Sequence, residues 1–296
     1  MNRALILLAL VLNNVPAFGE RPLVLQSDFG EKDGAVAAMR GVAISVSAAT
    51  PLYDLTHEIP PYNIWEASYR LYQSAEYWPE GTVFVSVVDP GVGTDRKSVV
   101  LKTKTGYYVV TPDNGTLTLI ARQMGIAELR EIDEAVNRLK NSEESYTFHG
   151  RDVYAYTGAR LAAGVISFEE VGRLLPPEVV SIPFQDAVFS GEEIRGNIPV
   201  KDVQFGNVWT NIGKELFQKL NVEPGTELRV RIRNKDELVL DTRIPYVNTF
   251  GEVGEREPLI YLNSLNDVSL ALNQGSFTEA HEIGSGPDWS IQLTRD

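Results

Sequence analysis

The sequence contains no cysteine, which excludes disulfides, thiolate nucleophiles and the zinc or iron–sulfur sites that need cysteine ligands. Histidine is almost as scarce. The three histidines, His57, His149 and His281, include no two at the i, i+4 spacing that places a pair of zinc ligands on one helix face. We therefore expect no metal ion, although a hard-cation site made of carboxylates alone stays open.

Basic residues are few relative to acidic ones. The 296 residues include 27 lysines and arginines against 40 aspartates and glutamates, which gives a formal charge of −13. A chain this acidic repels phosphate backbones, so we expect no nucleic-acid partner. The acidity mildly favours a cationic small molecule, although its ordinary role is solubility. The hydrophobic content of 43% and the chain length predict a folded protein with room for two domains.

Long apolar runs are missing except near the start of the chain, where residues 4–12 are apolar and follow Arg3. Ala17-Phe18-Gly19 resembles a small-x-small cleavage site, and the apolar run is too short to span a bilayer. This pattern predicts a signal peptide over residues 1–19 and a secreted or periplasmic protein that does not enter the membrane. A cytoplasmic protein with a misread start is the alternative.

From residue 22 onward the pattern alternates between strands and helices. Short apolar runs predict strands at residues 23–27, 52–56, 82–88, 98–104 and 107–111. Helical spacing of apolar residues predicts helices at 34–47, 62–77, 116–124 and 151–163. This order is typical of an α/β layered domain with a mostly parallel sheet.

After Pro176-Pro177 the pattern changes to short β-rich runs separated by turn residues. The runs lie at residues 193–203, 227–233, 237–242 and 259–262, and only 213–220 has helical spacing. They predict a small C-terminal β-barrel domain. The predicted division is an N-terminal α/β domain at 20–180, a linker at 181–190 and the C-terminal domain at 191–296.

The first of three unusual turns follows the first predicted strand and reads Ser27-Asp28-Phe29-Gly30. Ligands of open α/β sheets bind beyond the carboxyl ends of the strands, where an aspartate accepts hydrogen bonds from both hydroxyls of a ribose. We therefore interpret Asp28, and with it Asp33, as ligand-binding residues. The alternative for Asp33 is a helix N-cap, since a predicted helix begins directly after it.

The second turn, Asp89-Pro90-Gly91-Val92-Gly93, follows the most apolar predicted strand. Its glycines let the backbone approach a ligand closely. Asp89 occupies the position of a catalytic carboxylate, and Arg96 can pair with it across the loop. A plain surface turn is the alternative, and the missing Gly-Lys-Ser/Thr signature excludes a phosphate-binding P-loop.

The third turn, Phe148-His149-Gly150-Arg151-Asp152, begins a predicted helix. The positive end of a helix dipole lowers the pKa of a histidine and favours its neutral, proton-accepting form. His149 is therefore a candidate base. The alternative is a histidine with a purely structural role.

A segment of the C-terminal part combines a carboxylate, aromatic rings and amides, namely Asp202, Phe205, Asn207 and Trp209. Aromatic faces beside amide donors and acceptors suit a purine base, and the alternative is rings that only pack the barrel. Further candidates for ligand contacts are the aromatic pair Tyr62 and Trp65, whose helical spacing also suits the core, together with Ser264 and Asn273.

Taken together in chain order, the motifs resemble those of the S-adenosyl-L-methionine (SAM) hydroxide adenosyltransferases, a family related to SAM-dependent fluorinases and chlorinases. Besides the three turns, the similarity includes Pro112-Asp113-Asn114-Gly115, the segment from Phe205 to Asn211, and Tyr261-Leu262-Asn263-Ser264. Each motif is weak by itself, but six in the same order are specific.

The resemblance implies a homotrimer in which SAM lies between the first domain of one subunit and the second domain of its neighbour. No cofactor is implied, because SAM is the substrate. The implied substrate contacts are Asp28 at the ribose, Phe205, Asn207 and Trp209 at the adenine, Asp202 and Ser264 at the methionine end, and Phe29, Asp33, Tyr62, Phe148 and Asn273.

The hydrolytic branch of this family positions a water near C5′ with an aspartate, an arginine and a histidine, and Asp89, Arg96 and His149 match those positions. The halogenases replace the aspartate and the histidine and carry an extra loop, for which residues 104–107 leave no room. The resemblance therefore implies hydrolysis of SAM to adenosine and L-methionine. The alternatives are a SAM-dependent halogenase and an exported nucleoside-binding protein without catalysis.

Overall fold

The computed structural model describes residues 20–295, and the predicted signal peptide at 1–19 lies outside the described residues. The first seven strands are β1 (Leu23–Ser27), β2 (Leu52–Thr56), β3 (Val83–Val87), β4 (Ser98–Thr103), β5 (Tyr108–Pro112), β6 (Ile126–Glu131) and β7 (Leu174–Leu175). The later strands are β8 (Val188–Ser190), β9 (Glu193–Asn197), β10 (Val200–Lys201), β11 (Val208–Gly213), β12 (Glu227–Asn234), β13 (Glu237–Pro245), β14 (Pro258–Leu262), β15 (Asp267–Leu272) and β16 (Trp289–Thr294).

The α-helices are α1 (Ala35–Val46), α2 (Ile64–Ala75), α3 (Thr118–Met124), α4 (Tyr156–Ala162), α5 (Lys214–Phe217) and α6 (Phe277–Ala280). A π-helical segment, Gly150–Ala155, leads directly into α4. The sequence predicted one helix over this region, so the wider π turn is a feature that the apolar spacing did not indicate. Short 3-10 turns lie at Glu169–Val171, Gln218–Leu220 and Phe250–Glu252.

Seven strands form one sheet in the order β2-β1-β3-β5-β4-β6-β7. Strands β2, β1, β3 and β5 are parallel to one another. Each of the last three strands, β4, β6 and β7, pairs antiparallel with the strand before it in this order. The predicted α/β domain is confirmed, with its parallel part at one side of the sheet. Strands β6 and β7 were not predicted, because β6 is largely half-buried and carries charged residues at alternate positions.

Helices cover both faces of this sheet, as the alternation of side chains along each strand requires. On one face, Leu23 and Val85 pack against α1 and α4 in a core that includes Met39 and Leu161. On the other face, Val24 packs against α2 and α3. Strands β1 and β3 are buried along their whole length, so the chain segments that follow them are held in fixed positions.

The later strands form two antiparallel sheets, in the orders β10-β11-β15-β14 and β13-β12-β16-β9-β8. One apolar core, with Val208, Val230 and Leu270 among its buried residues, is shared by both sheets. The predicted β-rich C-terminal part is thus confirmed, and its strands form two antiparallel sheets around this core. The sequence did not resolve β15 or β16, and β8 occupies the last three residues of the predicted linker. The domain boundaries themselves stay a prediction.

Helix α2 joins the α/β part to the β part. The Trp65 Nε1 donates to the Pro199 carbonyl at 2.7 Å, and Arg70 donates to the Lys201 carbonyl at 2.8 Å. Tyr69 packs in a small apolar cluster that includes Val200 and Trp209. Trp65 therefore contributes to the junction between the two parts, as its helical spacing indicated. None of the helices within residues 20–295 has both the length and the apolar character needed to cross a membrane.

Gly158 in α4 marks the closest approach of a helix to the parallel sheet. A Cβ at this position would lie 2.4 Å from the Val85 Cγ2. We expect Gly158→Ala to destabilise the fold by about 1–3 kcal/mol, because the added methyl overpacks a buried contact. Gly41 is the matched control, since it lies inside α1 and a Cβ there meets nothing within 4 Å.

Alanine has the higher helix propensity, so Gly41→Ala should be neutral or stabilise the fold by up to about 1 kcal/mol. Urea unfolding followed by circular dichroism measures both changes. Equal midpoints for the two variants would show that α4 moves away from β3 without cost.

Candidate active site

Two turns of the parallel sheet meet because the strands before them are neighbours. Strands β1 and β3 pair in parallel with Ser27 opposite Val87, so Asp28 and Asp89 emerge at the same edge. The π-helical segment packs beside them and brings His149 to this edge. A cavity of about 380 Å³ lies here, lined by Asp28, Phe29, Pro61, Tyr62, Val87, Asp89, Val92, Thr147, Phe148, His149 and Gly150.

Asp28 lies in the wall of this cavity. Its Oδ2 accepts a hydrogen bond from the backbone N–H of Tyr62 at 2.9 Å. Burial and the neighbouring Asp89 raise the pKa of Asp28, and the hydrogen bond from Tyr62 opposes them. Tyr62 adopts a positive φ of 67° and leaves its ring exposed at the cavity rim. The arrangement leaves a half-buried carboxylate that can accept hydrogen bonds from a ligand.

An aromatic corner forms another part of the wall. The rings of Phe29 and Phe148 meet edge to face with 5.6 Å between their centroids. Gly150 lies directly behind Phe29, and a Cβ on it would lie 2.9 Å from the Phe29 Cζ. The glycine of this motif thus has a packing role, since it lets the histidine turn lie against the aspartate turn.

A buried chain of hydrogen bonds holds the Asp28 turn from below. The Ser27 Oγ lies 2.6 Å from the His57 Nδ1, and the His57 Nε2 lies 2.9 Å from the Asp54 Oδ1. Asp54 also binds Arg40, and the backbone N–H of Phe29 donates to the Ser27 Oγ at 3.3 Å. Ser27 is fully buried, so this serine, histidine and aspartate set supports the turn and is closed to substrate. Sequence reasoning had not assigned His57 a role.

Asp89 and Arg96 form a buried ion pair at the second turn. The Arg96 Nε lies 3.0 Å from each carboxylate oxygen of Asp89, and its Nη2 lies 2.5 Å from Oδ2. The Tyr154 hydroxyl lies 3.4 Å from the same Oδ2. Asn114 of the Pro112-Asp113-Asn114-Gly115 motif donates to the Val88 carbonyl at 2.8 Å and fixes the chain just before Asp89. The pairing that the spacing predicted across the loop is present.

His149 lies between two guanidinium groups. Its Nδ1 is 2.8 Å from the Arg96 Nη2, and its Nε2 is 2.9 Å from the Arg138 Nη2. Burial lowers the pKa of His149, and Arg96 and Arg138 lower it further, whereas Glu134 and Asp89 act in the opposite direction. The sequence predicted a lowered pKa and a neutral His149 because of the helix dipole. In the structure, burial and the two arginines lower this pKa.

Sequence reasoning missed Arg138 because it precedes the histidine motif in a segment without regular structure. Arg138 is buried and pairs with Glu134, with 2.5 Å between Nη2 and Oε2. This i, i+4 pair of opposite charges just before the motif is the one signal that the sequence offered.

The C-terminal candidates gather around a second cavity of about 830 Å³. Its walls include Asp202, Phe205, Asn207 and Asn273, together with Tyr261 and Phe250. Asp202 organises the loop, because its Oδ1 accepts from the backbone N–H groups of Gln204 and Phe205 and its Oδ2 accepts from the Asn207 amide, all at 3.2 Å. The two cavities have no lining residue in common.

Three expected substrate contacts lie outside both cavities. The Asp33 Oδ1 accepts from the Ala35 N–H at 2.9 Å at the start of α1, which is the helix-capping alternative. Trp209 lies on β11 and lines a neighbouring groove of about 510 Å³ between the two parts of the chain. Ser264 is exposed, and its carbonyl accepts from the Tyr77 hydroxyl at 3.2 Å.

No group of three or more histidine, aspartate or glutamate side chains in the described range is arranged to hold a metal ion. The polar groups that line the first cavity instead include the Asp28 carboxylate, the Asp89 carboxylate that is held by a guanidinium, and the His149 ring. Such an arrangement can bind a diol and orient a small nucleophile.

Comparison with known proteins agrees with this geometry. The SAM hydroxide adenosyltransferase N-terminal domain matches residues 23–172, and the C-terminal domain of the same family matches residues 196–290. A protein of Thermus thermophilus named (R)-S-adenosyl-L-methionine hydrolase is 34% identical over 272 residues, which cover 90% of this chain and 97% of that protein. A fluorinase of an Actinoplanes species is 28% identical over 298 residues, covering 92% of this chain and 97% of the fluorinase.

A solved structure shows the same fold. The crystal structure of an uncharacterized conserved protein from Thermotoga maritima is 35% identical, with a TM-score of 0.85. The match covers 92% of this chain and 100% of that one.

We correct the expectation of a secreted or periplasmic location. It depended on residues 1–19, which lie outside the described residues, and the family match lies within residues 23–290. An apolar run beside one arginine is a weak targeting signal, and neither the described residues nor the comparisons indicate export.

The ordered turns, the two cavities and the family match over both parts of the chain lead to one assignment: this chain belongs to the SAM hydroxide adenosyltransferase family.

Proposed function

We propose that this protein hydrolyses SAM by attack of water at C5′, giving adenosine and L-methionine. The observation that carries the proposal is the cluster of Asp89, Arg96 and His149 in and beside the wall of the cavity that also contains Asp28. The relatives named SAM hydrolase, at 34% identity, support the same reaction.

In this reaction the leaving group needs little assistance from the protein, whereas the attacking water needs most of it. The water oxygen forms a bond to C5′, the bond between C5′ and sulfur breaks, and its electron pair stays on sulfur as the neutral thioether of methionine. One proton of the water leaves as the new bond forms. The protein must align the water and receive that proton, and positioning and base catalysis are both within reach of a preorganised site.

The residues of the first cavity divide these tasks. Asp28 accepts hydrogen bonds from the ribose hydroxyls, while Phe29 and Phe148 pack against the sugar and exclude water from its surroundings. Arg96 holds the Asp89 carboxylate in place beside the attacking water through their ion pair. The cluster needs no metal ion in this scheme.

We propose further that the complete site is shared between subunits of a trimer. The adenine and the methionine end would occupy the second cavity of a neighbouring subunit, in contact with Phe205, Asn207 and Asp202. The separate lining of the two cavities supports this arrangement. So does the exposure of Phe205, at 67%, and of Val203, at 81%, because large exposed apolar side chains mark interaction surfaces.

The first test is incubation of the purified protein with SAM, followed by chromatography. We expect adenosine and methionine in equal amounts, with the same rate in the presence of EDTA. Loss of activity in EDTA that one cation restores would overturn the metal-free scheme. Intact SAM recovered from a stable complex would identify a binding protein, and 5′-halo-adenosine formed in chloride or fluoride would identify a halogenase.

Substitution of the cluster tests the assigned residues. We expect Asp89→Asn and His149→Gln each to lower kcat by at least about tenfold, because the first removes the carboxylate that accepts the proton and the second disturbs the cluster that aligns the water. Calorimetric affinity for SAM should change little. Asp186→Asn is the control, since Asp186 forms an exposed ion pair with Arg122 and lines neither cavity. Unchanged kcat in either cluster variant contradicts the assignment.

Co-expression of two inactive variants tests the shared site. One chain carries Asp89→Asn in the first cavity, and the other carries Phe205→Asp in the second. Averaged over all trimers that form at equal expression, random assembly gives about one native site in four, because each half of a site is intact with a probability of about one half. We therefore expect about a quarter of the wild-type activity. Activity equal to the mean of the two separate variants would show that each site lies within one chain.

A further inference from the structure

Arg138 is the buried charged residue next to the reacting cluster that neither the motifs nor the proposed reaction uses. Its Nη2 lies 2.9 Å from the His149 Nε2, on the opposite side of the ring from Arg96. Glu134 holds it, with contacts from Arg138 Nε and Nη2 to the Glu134 Oε2 at 3.2 and 2.5 Å. The Tyr146 ring lies against its guanidinium at 5.3 Å.

We propose that Arg138 is a positioning residue for the hydrolysis, which together with Arg96 keeps His149 neutral and leaves the Asp89 carboxylate to receive the proton. This inference rests on the proposed function for its reaction step. Its electrostatic part concerns the protein alone and can be measured without substrate.

The charges that surround His149 are balanced before the ring takes up a proton. Asp89 and Arg96 face it from the turn after β3, and Glu134 and Arg138 face it from the segment after β6. Tyr146 and Tyr154 pack beside the ring, and burial raises the pKa of Tyr154, which keeps its hydroxyl neutral. These two carboxylates and two guanidinium groups sum to zero, so an imidazolium would add an unbalanced charge in a buried place.

The contacts at the ring also remove His149 as a base. A neutral imidazole has one lone pair and one N–H, and each of its nitrogens here faces a guanidinium, which can only donate. The lone pair is therefore used by an arginine, whichever tautomer is present. At the other ring nitrogen the imidazole N–H faces the second guanidinium donor to donor, so that contact is repulsive and is not a hydrogen bond.

Asp89, by contrast, has room to accept a proton from water. Among the hydrogen bonds of the described residues, its Oδ2 has contacts with Arg96 and Tyr154, whereas its Oδ1 contacts only the Arg96 Nε, at 3.0 Å. A carboxylate oxygen accepts two hydrogen bonds, so Oδ1 keeps a lone pair for the attacking water. The proton of that water passes to Asp89 as the oxygen bonds to C5′, and then to solvent after the products leave.

The neutral ring also suits the substrate. SAM carries a positive sulfonium at the atom that leaves, and a cationic His149 near C5′ would oppose its binding. Protonation of His149 should therefore lower turnover. The activity is present above the titration midpoint of His149 and is lost as the pH falls through it.

Imidazole resonances in NMR spectra of the apo protein test the proposal, because the chain has only three histidines. We expect His149 in the wild type to be neutral at pH 7 and to titrate well below pH 6.5, the ordinary value for histidine. Arg138→Gln removes the charge and should move the midpoint upward by about one pH unit. The acid limb of the kcat/KM profile, which reports the free enzyme, should move in the same direction.

Two further variants serve as controls. Arg138→Lys keeps the charge and should keep the low midpoint. Arg70→Gln breaks a similar i, i+4 pair with Glu66, away from His149, and should move neither the midpoint nor the pH profile. A protonated His149 in the wild type at pH 7 overturns the proposal, even where Arg138→Gln fails to fold. An unchanged titration midpoint of His149 in a folded Arg138→Gln protein also overturns the proposal. Absence of SAM hydrolysis in the wild type would refute the proposed function alone.

Discussion

The parallel pairing of β1 with β3 is the constraint on which the candidate site depends. Both strands are buried from end to end, and Ser27 lies opposite Val87, so the two aspartate turns have fixed positions relative to each other. The serine and histidine below Asp28, and the Asn114 amide beside Asp89, then hold each turn by hydrogen bonds. The polar groups of the cavity are thus preorganised by the apolar core beneath them, as a site that positions a small nucleophile requires.

Charge balance is the second condition that the structure meets. Two arginines and two carboxylates surround one histidine in a buried place, and each arginine has its own carboxylate partner. Removal of any one of the four would leave an uncompensated charge, which costs more than an exposed ion pair contributes. The cluster is therefore better understood as one electrostatic unit than as three residues with separate roles. Arg138 and Glu134 belong to it although they lie outside the sequence motifs.

Much of this arrangement was predictable from local sequence. The apolar runs gave β1 and β3, and the rule that ligands bind beyond the carboxyl ends of parallel strands gave Asp28 and Asp89.

The contacts that were missed join residues far apart in the chain. Ser27 and His57 are 30 positions apart, and no local pattern connects them. Trp209 and Ser264 were placed at the substrate by resemblance, and in the described chain neither lines either cavity, since Trp209 lies on β11 and Ser264 in the turn after β14. Local spacing fixes which residues share a turn, while tertiary packing decides what each side chain meets.

The relation to fluorinases follows from the charge of the cavity wall. A halide is an anion with no proton to lose, so a carboxylate beside C5′ repels it and offers it nothing in return. Water is neutral and must lose a proton as it attacks, so the same carboxylate favours it in both respects. In the proposed reaction Asp89 therefore favours water as the nucleophile as well as assisting it, and its ion pair with Arg96 fixes the position of the carboxylate. The short turn between β4 and β5 lies at the other edge of the sheet, where the Gly81 N–H donates to the Gly106 carbonyl ahead of β3, so this turn does not border the cavity. In the proposed reaction, a carboxylate in the cavity wall thus favours a neutral nucleophile that loses a proton over an anionic halide.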